Sequence, residues 1–504
     1  MKTISISITL YILSALFSLC ISQTVTDALR YSTLIPGGTA RAIGAGGSFG
    51  AMGGDFGVLT INPAGLGDYR SNEIVFSFSF NAGNTNSQLL SSTGQSTSHV
   101  TQPNIENLGL VFHKSPSRGP LVTSNFAVGL QQYNSFNQNF AFNGQTQGSI
   151  TERFLDRTID SNGELLLPGE IDDFEAGLAF DTGAIIFNDD NINDPFYISD
   201  FFDDDVVNKS QEVNRSGQIN EVVIAWGGKF VNNINFGLSV GIPFVSFEEE
   251  KTYFENDPGD VIPFFDNLSF TERLSTSGSG INFKAGLGYT LKRVLRLGLA
   301  YQSPSFIKLD DNFDTQLQYA FTDGIPFDTI AFSPDGRFDY RLRTPSRITG
   351  SVGGLLDFGD VKGFINLDGQ YVNYGANKFN LTAFNDNPGE AAFQEELNTQ
   401  ISEELQSVVN INIGAELVYK KIRLRGGVGI LGNPNQVNTA DESRKIYSGG
   451  LGFRGERFFI DASYQRRSIT ENYVPYRVFN ADRLQNVSNE SQVSKFTVTV
   501  GYKL

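Results

Sequence analysis

Thiols, imidazoles and indoles are nearly missing from this sequence, which has one Cys, two His, one Trp and two Met in 504 residues. Zinc, haem and Cys/His nucleophilic chemistry draw on the first two of those side chains, so the chain holds little material for any of them. A single thiol, Cys20, also excludes a disulfide framework. Charged residues are sparse at 18%, and they lean acidic, with a formal net charge of −17. Neutralising a phosphate backbone takes clustered Lys and Arg, so nucleic acid is excluded as a partner. Long hydrophobic runs are absent apart from Ile4–Ile21. A polytopic bundle of membrane helices is therefore excluded as well.

That one run is preceded by Lys2 and followed by Ser22, Gln23 and Thr24. A basic residue, an apolar stretch and small or polar residues in that order are the layout of a secretory signal peptide, expected to span 1–22 and to be cleaved after Ser22. Cleavage there removes Cys20 and leaves an exported chain without a thiol.

What the sequence has in quantity is Gly at 53 and Phe at 43. From Glu73 onwards the apolar residues recur with a period of two, as in Ile74, Phe76, Phe78 and Phe80, which projects them to one face of a strand. The same period predicts about fourteen strands, near 73–82, 104–114, 122–133, 218–230, 234–247, 276–290, 294–303, 343–356, 361–372, 407–420, 421–430, 445–454, 457–466 and 493–504. In one of them Ile281, Phe283, Ala285, Leu287 and Tyr289 alternate with Asn282, Lys284, Gly286, Gly288 and Thr290. One face suits lipid and the other a polar lumen. Tight connections, such as 231–233 and 420–421, alternate with long ones at 83–103, 134–217, 248–275, 304–342, 373–406, 431–444 and 467–492. Short turns at one end and long loops at the other are the pattern of an outer-membrane barrel, whose closure pairs every backbone amide in hydrocarbon.

Within the long connections, Glu390–Val408 carries Phe393, Leu397, Ile401, Leu405 and Val408 at helical spacing, predicting an amphipathic helix that roofs the barrel. The acids Asp200, Asp203, Asp204 and Asp205 lack the spacing of a calcium loop, so no metal site is assigned. Loop aromatics, namely Phe136, Phe140, Phe142, Phe201 and Phe202, are the candidate ligand contacts, because a poorly soluble ligand needs an apolar path with few polar anchors.

Residues 23–72 do not alternate, and Pro36–Gly67 reads PGGTARAIGAGGSFGAMGGDFGVLTINPAGLG. Its glycine run has no GK[ST] ending and no βαβ unit, so it is not a nucleotide loop. A segment too short to build its own core, placed before a barrel, is expected to plug the lumen.

Here the sequence resembles the FadL/TodX-type outer-membrane transporters of hydrophobic compounds, in the form common among Bacteroidetes. The resemblance is carried by Gly37–Ala42, by Gly54-Asp55-Phe56 and above all by Asn62-Pro63-Ala64-Gly65-Leu66-Gly67. Further echoes lie at Gly278–Lys284, Leu295–Gly298, Thr344–Arg347, Asp368 and Tyr371–Tyr374. The carboxy-terminal strand has the expected alternation, with Leu504 where the family usually ends on an aromatic.

The resemblance implies an all-β fold, a fourteen-stranded antiparallel transmembrane barrel (73–504) closed by an amino-terminal hatch (23–72) whose motif is Gly54, Asp55, Asn62, Pro63, Ala64 and Gly65. It implies passive uptake of hydrophobic molecules such as long-chain fatty acids in the cell outer membrane, with a kinked third strand opening a side exit. The third strand does lose its alternation after Leu130, at Gln131-Gln132-Tyr133. The expected partners are a small hydrophobic substrate, outer-membrane lipid and the barrel assembly machinery. The chain is expected to be a monomer with no cofactor and no enzymatic activity. Two rival readings are a haem receptor, with His99, His113 or a Tyr as axial ligand, and a general porin, which would lack a plug.

Overall fold

Alternation in the sequence becomes alternation in exposure. In the computed structural model, which describes residues 23–35, 37–92, 94–160, 162–190, 195–202, 204–230, 233–322, 329–384, 388–436, 441–480 and 484–504, Ile281, Phe283, Leu287 and Tyr289 are exposed while Asn282 and Lys284 are buried. The expected signal peptide lies outside the described residues, as does Asp203.

Fourteen antiparallel strands close into a barrel. They are β1 (Glu73–Leu89), β2 (Gln95–Lys114), β3 (Leu121–Ser135), β4 (Val206–Phe230), β5 (Ile234–Asn256), β6 (Phe265–Leu291) and β7 (Leu295–Gln302). They continue with β8 (Arg347–Phe358), β9 (Val361–Asn373), β10 (Ser407–Tyr419), β11 (Ile422–Leu431), β12 (Arg444–Arg454), β13 (Phe458–Tyr473) and β14 (Val487–Lys503). Each strand pairs with its neighbours in sequence, and the seam is made by β1 on β14, in register from Glu73↔Lys503 to Leu89↔Val487. The outer surface carries an apolar skin, for example Phe76, Phe112, Trp226, Leu238, Leu299 and Ile413, all exposed. Among the described residues no helix is long and apolar enough to cross a membrane.

All fourteen predicted strands are present, but several are longer than their sequence pattern. The connections 83–103 and 248–275 are mostly strand, and 134–217 and 304–342 contain the additional strands Gln138–Gln147, Phe306–Phe321 and Gly336–Arg343. These extensions lie at the long-loop end. There the outer face carries polar residues such as Asn208 and Ser210, so the strand forms without an outward apolar period. Gln138–Gln147 continues β3 along β4, and Phe306–Phe321 continues β7 along β6.

Among the described residues there are five α-helices: α1 (Val25–Ser32), α2 (Ala40–Gly44), α3 (Thr151–Asp156), α4 (Ala176–Thr182) and α5 (Pro388–Glu404). The predicted loop helix is α5, and Leu397, Ile401 and Leu405 are buried with Ala28 and Tyr31 of α1 in one hydrophobic cluster. A second cluster, including Phe154, Leu178, Phe265 and Tyr319, forms the core of a cap at the long-loop end.

Candidate functional site

Residues 23–72 run through the lumen, and local chemistry shapes each turn. Thr24 and Asp27 form a reciprocal capping box at α1. Thr39 caps α2 and donates to Asp55 at 2.6 Å, while Asp55 accepts from the Gly57 amide at 2.9 Å. Asn62 caps the 3-10 turn Pro63–Asp68, accepting from the Ala64 amide at 3.1 Å. Its amide nitrogen donates to the Gly50 carbonyl at 2.7 Å and to the Leu287 carbonyl of β6 at 3.2 Å. One side chain thus satisfies groups on two stretches of the segment and on the wall.

Backbone contact is close because the wall offers glycine where the segment touches it. Added Cβ atoms at Gly227, Gly237, Gly286, Gly298, Gly414, Gly427 and Gly450 would meet atoms of residues 44–66 on β4, β5, β6, β7, β10, β11 and β12. Charge secures two further points. Arg41 donates to both oxygens of Glu416 at 2.9 Å, and Glu416 is shared with Arg425, which also pairs with Asp461 at 2.8 Å. On the opposite wall Asp68 pairs with Lys229 at 3.2 Å and Arg296 at 2.6 Å.

Two cavities are lined in part by α1 at the start of this segment. The larger, about 1050 Å³, is walled by charged residues of both signs. Most of these charges are paired, as in Arg153 with Glu175, Arg215 with Glu249 and Lys251 with Glu272. The smaller, about 190 Å³, is lined by the apolar residues Leu29, Ile35, Val100, Phe136, Phe247 and Val493 together with Arg30, Arg215, Arg444, Arg467 and Glu471. The Arg467 Nε is buried without a hydrogen-bond partner, and Glu471, which lines the same cavity, lies 4.0 Å from Arg444.

The smaller cavity abuts a break in the wall. β2 pairs with β1 as far as Gln95↔Gln88, whereas its pairing with β3 runs only from Lys114↔Ser124 to Asn107↔Gln131. Residues 95–106 of β2 therefore have no strand partner on the β3 side. Gln131, Gln132, Tyr133 and Asn134 are buried in succession, so the loss of alternation read at this point is a turn of β3 into the lumen. Higher up, Asn143 reaches Ser96 at 3.4 Å, which makes the break a window.

Of the candidate aromatics, Phe136 alone lines the smaller cavity, packed edge-on to Tyr31 and Phe247 at centroid distances of 6.1 and 5.5 Å. Phe140 and Phe142 are buried, the former against Tyr473 at 5.0 Å, and Phe201 packs on Phe265 at 4.7 Å. Phe202 is 72% exposed at the tip of the cap. The cavity residues contributed by α1, β1, β2 and β13 carry no local motif. They come together only through closure of the ring. His99 bonds Asn84 and His113 bonds Asn125 and Ser115, and neither lines either cavity.

These features define a transmembrane antiparallel barrel with its amino-terminal segment folded into the lumen and a window in its wall. No protein-family model matches the sequence, and no curated protein matches it. Among solved structures it is similar to the toluene transporter TodX of Pseudomonas putida, with a TM-score of 0.53, 14% identity, and 94% of this chain and 100% of that one covered. A second structure of that transporter gives 0.51 and 12% identity, covering 93% of this chain and 99% of the other. A FadL homologue from Pseudomonas aeruginosa gives 0.49 and 13% identity, with coverage of 94% and 99%. The likeness to TodX is one of fold.

Proposed function

We propose that this chain is a passive import channel of the outer membrane for hydrophobic molecules, with anionic amphiphiles such as long-chain fatty acids as its substrates. The observation that carries this reading is the cavity of about 190 Å³, lined in part by apolar side chains, beside the window between β2 and β3. A ligand seated there has a route to the bilayer that avoids the short-turn end of the lumen, which residues 39–68 occupy. These residues act as a plug, held by the Asn62 bridge and the Arg41 and Asp68 ion pairs. The similar TodX structures are described as toluene transporters, so a neutral aromatic is the second reading. Arg467 favours the first: its Nε is buried without a hydrogen-bond partner, and it lines the cavity with Arg30, Arg215 and Arg444 beside apolar side chains, which suits a carboxylate head with a hydrocarbon tail.

The paired charges of the larger chamber suit a wet antechamber through which the amphiphile arrives, the long-loop end facing the exterior. Export would follow from the signal peptide at 1–22, and insertion from the barrel assembly machinery acting on a monomer. Binding of oleate and of oleyl alcohol to the detergent-purified protein tests the substrate. Oleate is expected to bind about tenfold tighter or more, the worth of a charge-assisted hydrogen bond, with the difference abolished in Arg467→Gln. Equal affinities in the native protein would refute the carboxylate assignment, and no binding of any apolar solute would refute the channel. Deleting 36–67 is expected to raise conductance in planar bilayers; unchanged conductance would remove the plug.

A further inference from the structure

An unpaired strand edge is a template for further pairing. Residues 95–106 of β2 have no β3 partner along the window, so something must hold β3 from zipping further onto them. Each side of the window contains a β-bulge, and each bulge turns a side chain inward to a buried ion pair.

On the β3 side the bulge is at Tyr133: against β4 the register passes from Gln132↔Asn220 to Asn134↔Ile219. The Tyr133 hydroxyl donates to Glu221 Oε1 at 3.1 Å and accepts from Lys284 Nζ, which stands 4.7 Å over its ring. Lys284 pairs with Glu221 at 2.8 Å, and Asn282 donates to the other Glu221 oxygen at 2.6 Å. Glu221 is on β4 and Lys284 on β6, so the carboxylate must arch across β5. It passes over Gly241, where a Cβ would lie within 2.6 Å of Glu221 Oε1.

On the β2 side the bulge is at Glu106, where Ser77↔Asn107 is followed by Phe78↔Ile105. Glu106 accepts from Lys495 at 2.6 Å and from Ser79 at 2.7 Å.

We propose that these two ion pairs, Glu221–Lys284 acting through Tyr133 and Glu106–Lys495, are positioning residues that hold the jambs of the window apart and so set its width. A buried ion pair contributes little net stability compared with apolar packing of similar volume, but it fixes geometry. Here each fixes a bulge that ordinary strand pairing would erase. The same seam couples the window to the inner segment, because the Tyr133 carbonyl accepts from the Ile35 amide at 3.0 Å and Asn134 donates to the Thr33 carbonyl at 3.1 Å. The proposal rests on reading the window as the passage, yet it is testable without transport.

Removal of the leader would take the sole cysteine with it, so spin labels can be introduced at Thr101→Cys and Asn139→Cys on either side of the window in an otherwise thiol-free protein. Their separation is measured in detergent for the native background, for Glu221→Gln, for Tyr133→Phe and for the double variant Glu221→Met with Lys284→Met. The double variant leaves no unpaired buried charge and keeps a folded barrel, checked by heat-modifiable electrophoresis. The expected result is a distance distribution shifted to shorter separations and broadened in all three, as β3 pairs further along β2. A distribution unchanged in the folded double variant overturns the clamp. If the distribution shifts as expected in a protein that carries no apolar solute, the clamp stands and the transport reading falls.

Discussion

Two glycines on adjacent strands give the most direct test of how the lumen is closed. Gly414 of β10 and Gly427 of β11 are paired neighbours, and the backbone of Ala45 and Gly46 lies directly against both. A Cβ at Gly414 would sit 2.9 Å from the Ala45 carbonyl carbon, and one at Gly427 would sit 2.6 Å from Gly46 Cα. Both contacts are to main chain, which cannot swing aside as a long side chain can. Overpacking by a methyl typically costs about 1–3 kcal/mol, so Gly414→Ala with Gly427→Ala should weaken docking by roughly 2–6 kcal/mol. At the lower bound the balance between docked and displaced states moves about thirtyfold. The barrel has no reason to suffer, because alanine fits a strand better than glycine does. The control is Gly426→Ala on the same strand, which points outward with nothing within 4 Å. In planar bilayers the double variant should conduct more than the native protein, and residues 23–72 should become accessible to protease, while Gly426→Ala behaves as native. A double variant that conducts as the native protein does, with its inner segment still protected, would refute the docking geometry.

Asn62→Ala removes two bonds to carbonyl groups and leaves the buried Ala64 amide without its acceptor, a loss of about 1–3 kcal/mol. Faster hydrogen exchange confined to residues 50–66, with the strands unchanged, is the expected readout, and uniform protection would count against the bridge. In the cap, burial and then the nearby Glu175 carboxylate push Asp172 above the usual range, against the pull of the Phe174, Glu175 and Ala176 amides that donate to it. The folded cap therefore holds that proton more tightly than the unfolded chain does. Its contribution to stability falls as pH rises from the ordinary Asp value through the raised one. Protection of the 174–176 amides, taken relative to the unstructured exchange rate at each pH, should fall over that interval, and Asp172→Asn should remove the fall; native protection that stays level would contradict the assignment.

The strand framework was legible because lipid imposes it: Ile281, Phe283 and Leu287 must face hydrocarbon, so their alternation with Asn282, Lys284 and Gly286 announces both the strand and its register. Beyond the apolar band that constraint lapses, and the hydrophilic stretch at 206–217 pairs as strand with no sustained apolar period, whereas 306–321 does alternate, with Ile307, Leu309, Leu317 and Tyr319 buried, although it falls within an expected long connection. The turn of β3 was visible only as lost alternation at Gln131-Gln132-Tyr133, which entry into a loop would produce equally. Deciding between the two took the partners Glu221 and Lys284, which lie far along the chain. Aromatic content alone does not separate the roles of the candidate aromatics: Phe142 belongs to the cap core and Phe140 packs on Tyr473, while Phe136 lines the smaller cavity. Arg467 gave no signal, because an inward arginine on a barrel strand looks the same whether it has a partner or lacks one.

The seam has a bearing on biogenesis. Residues 23–72 contact strands all around the ring, the last included, where the Ala40 amide donates to Thr499 of β14. The first strand and the final one, which meet along their whole length, can be zipped together only around cargo already laid inside.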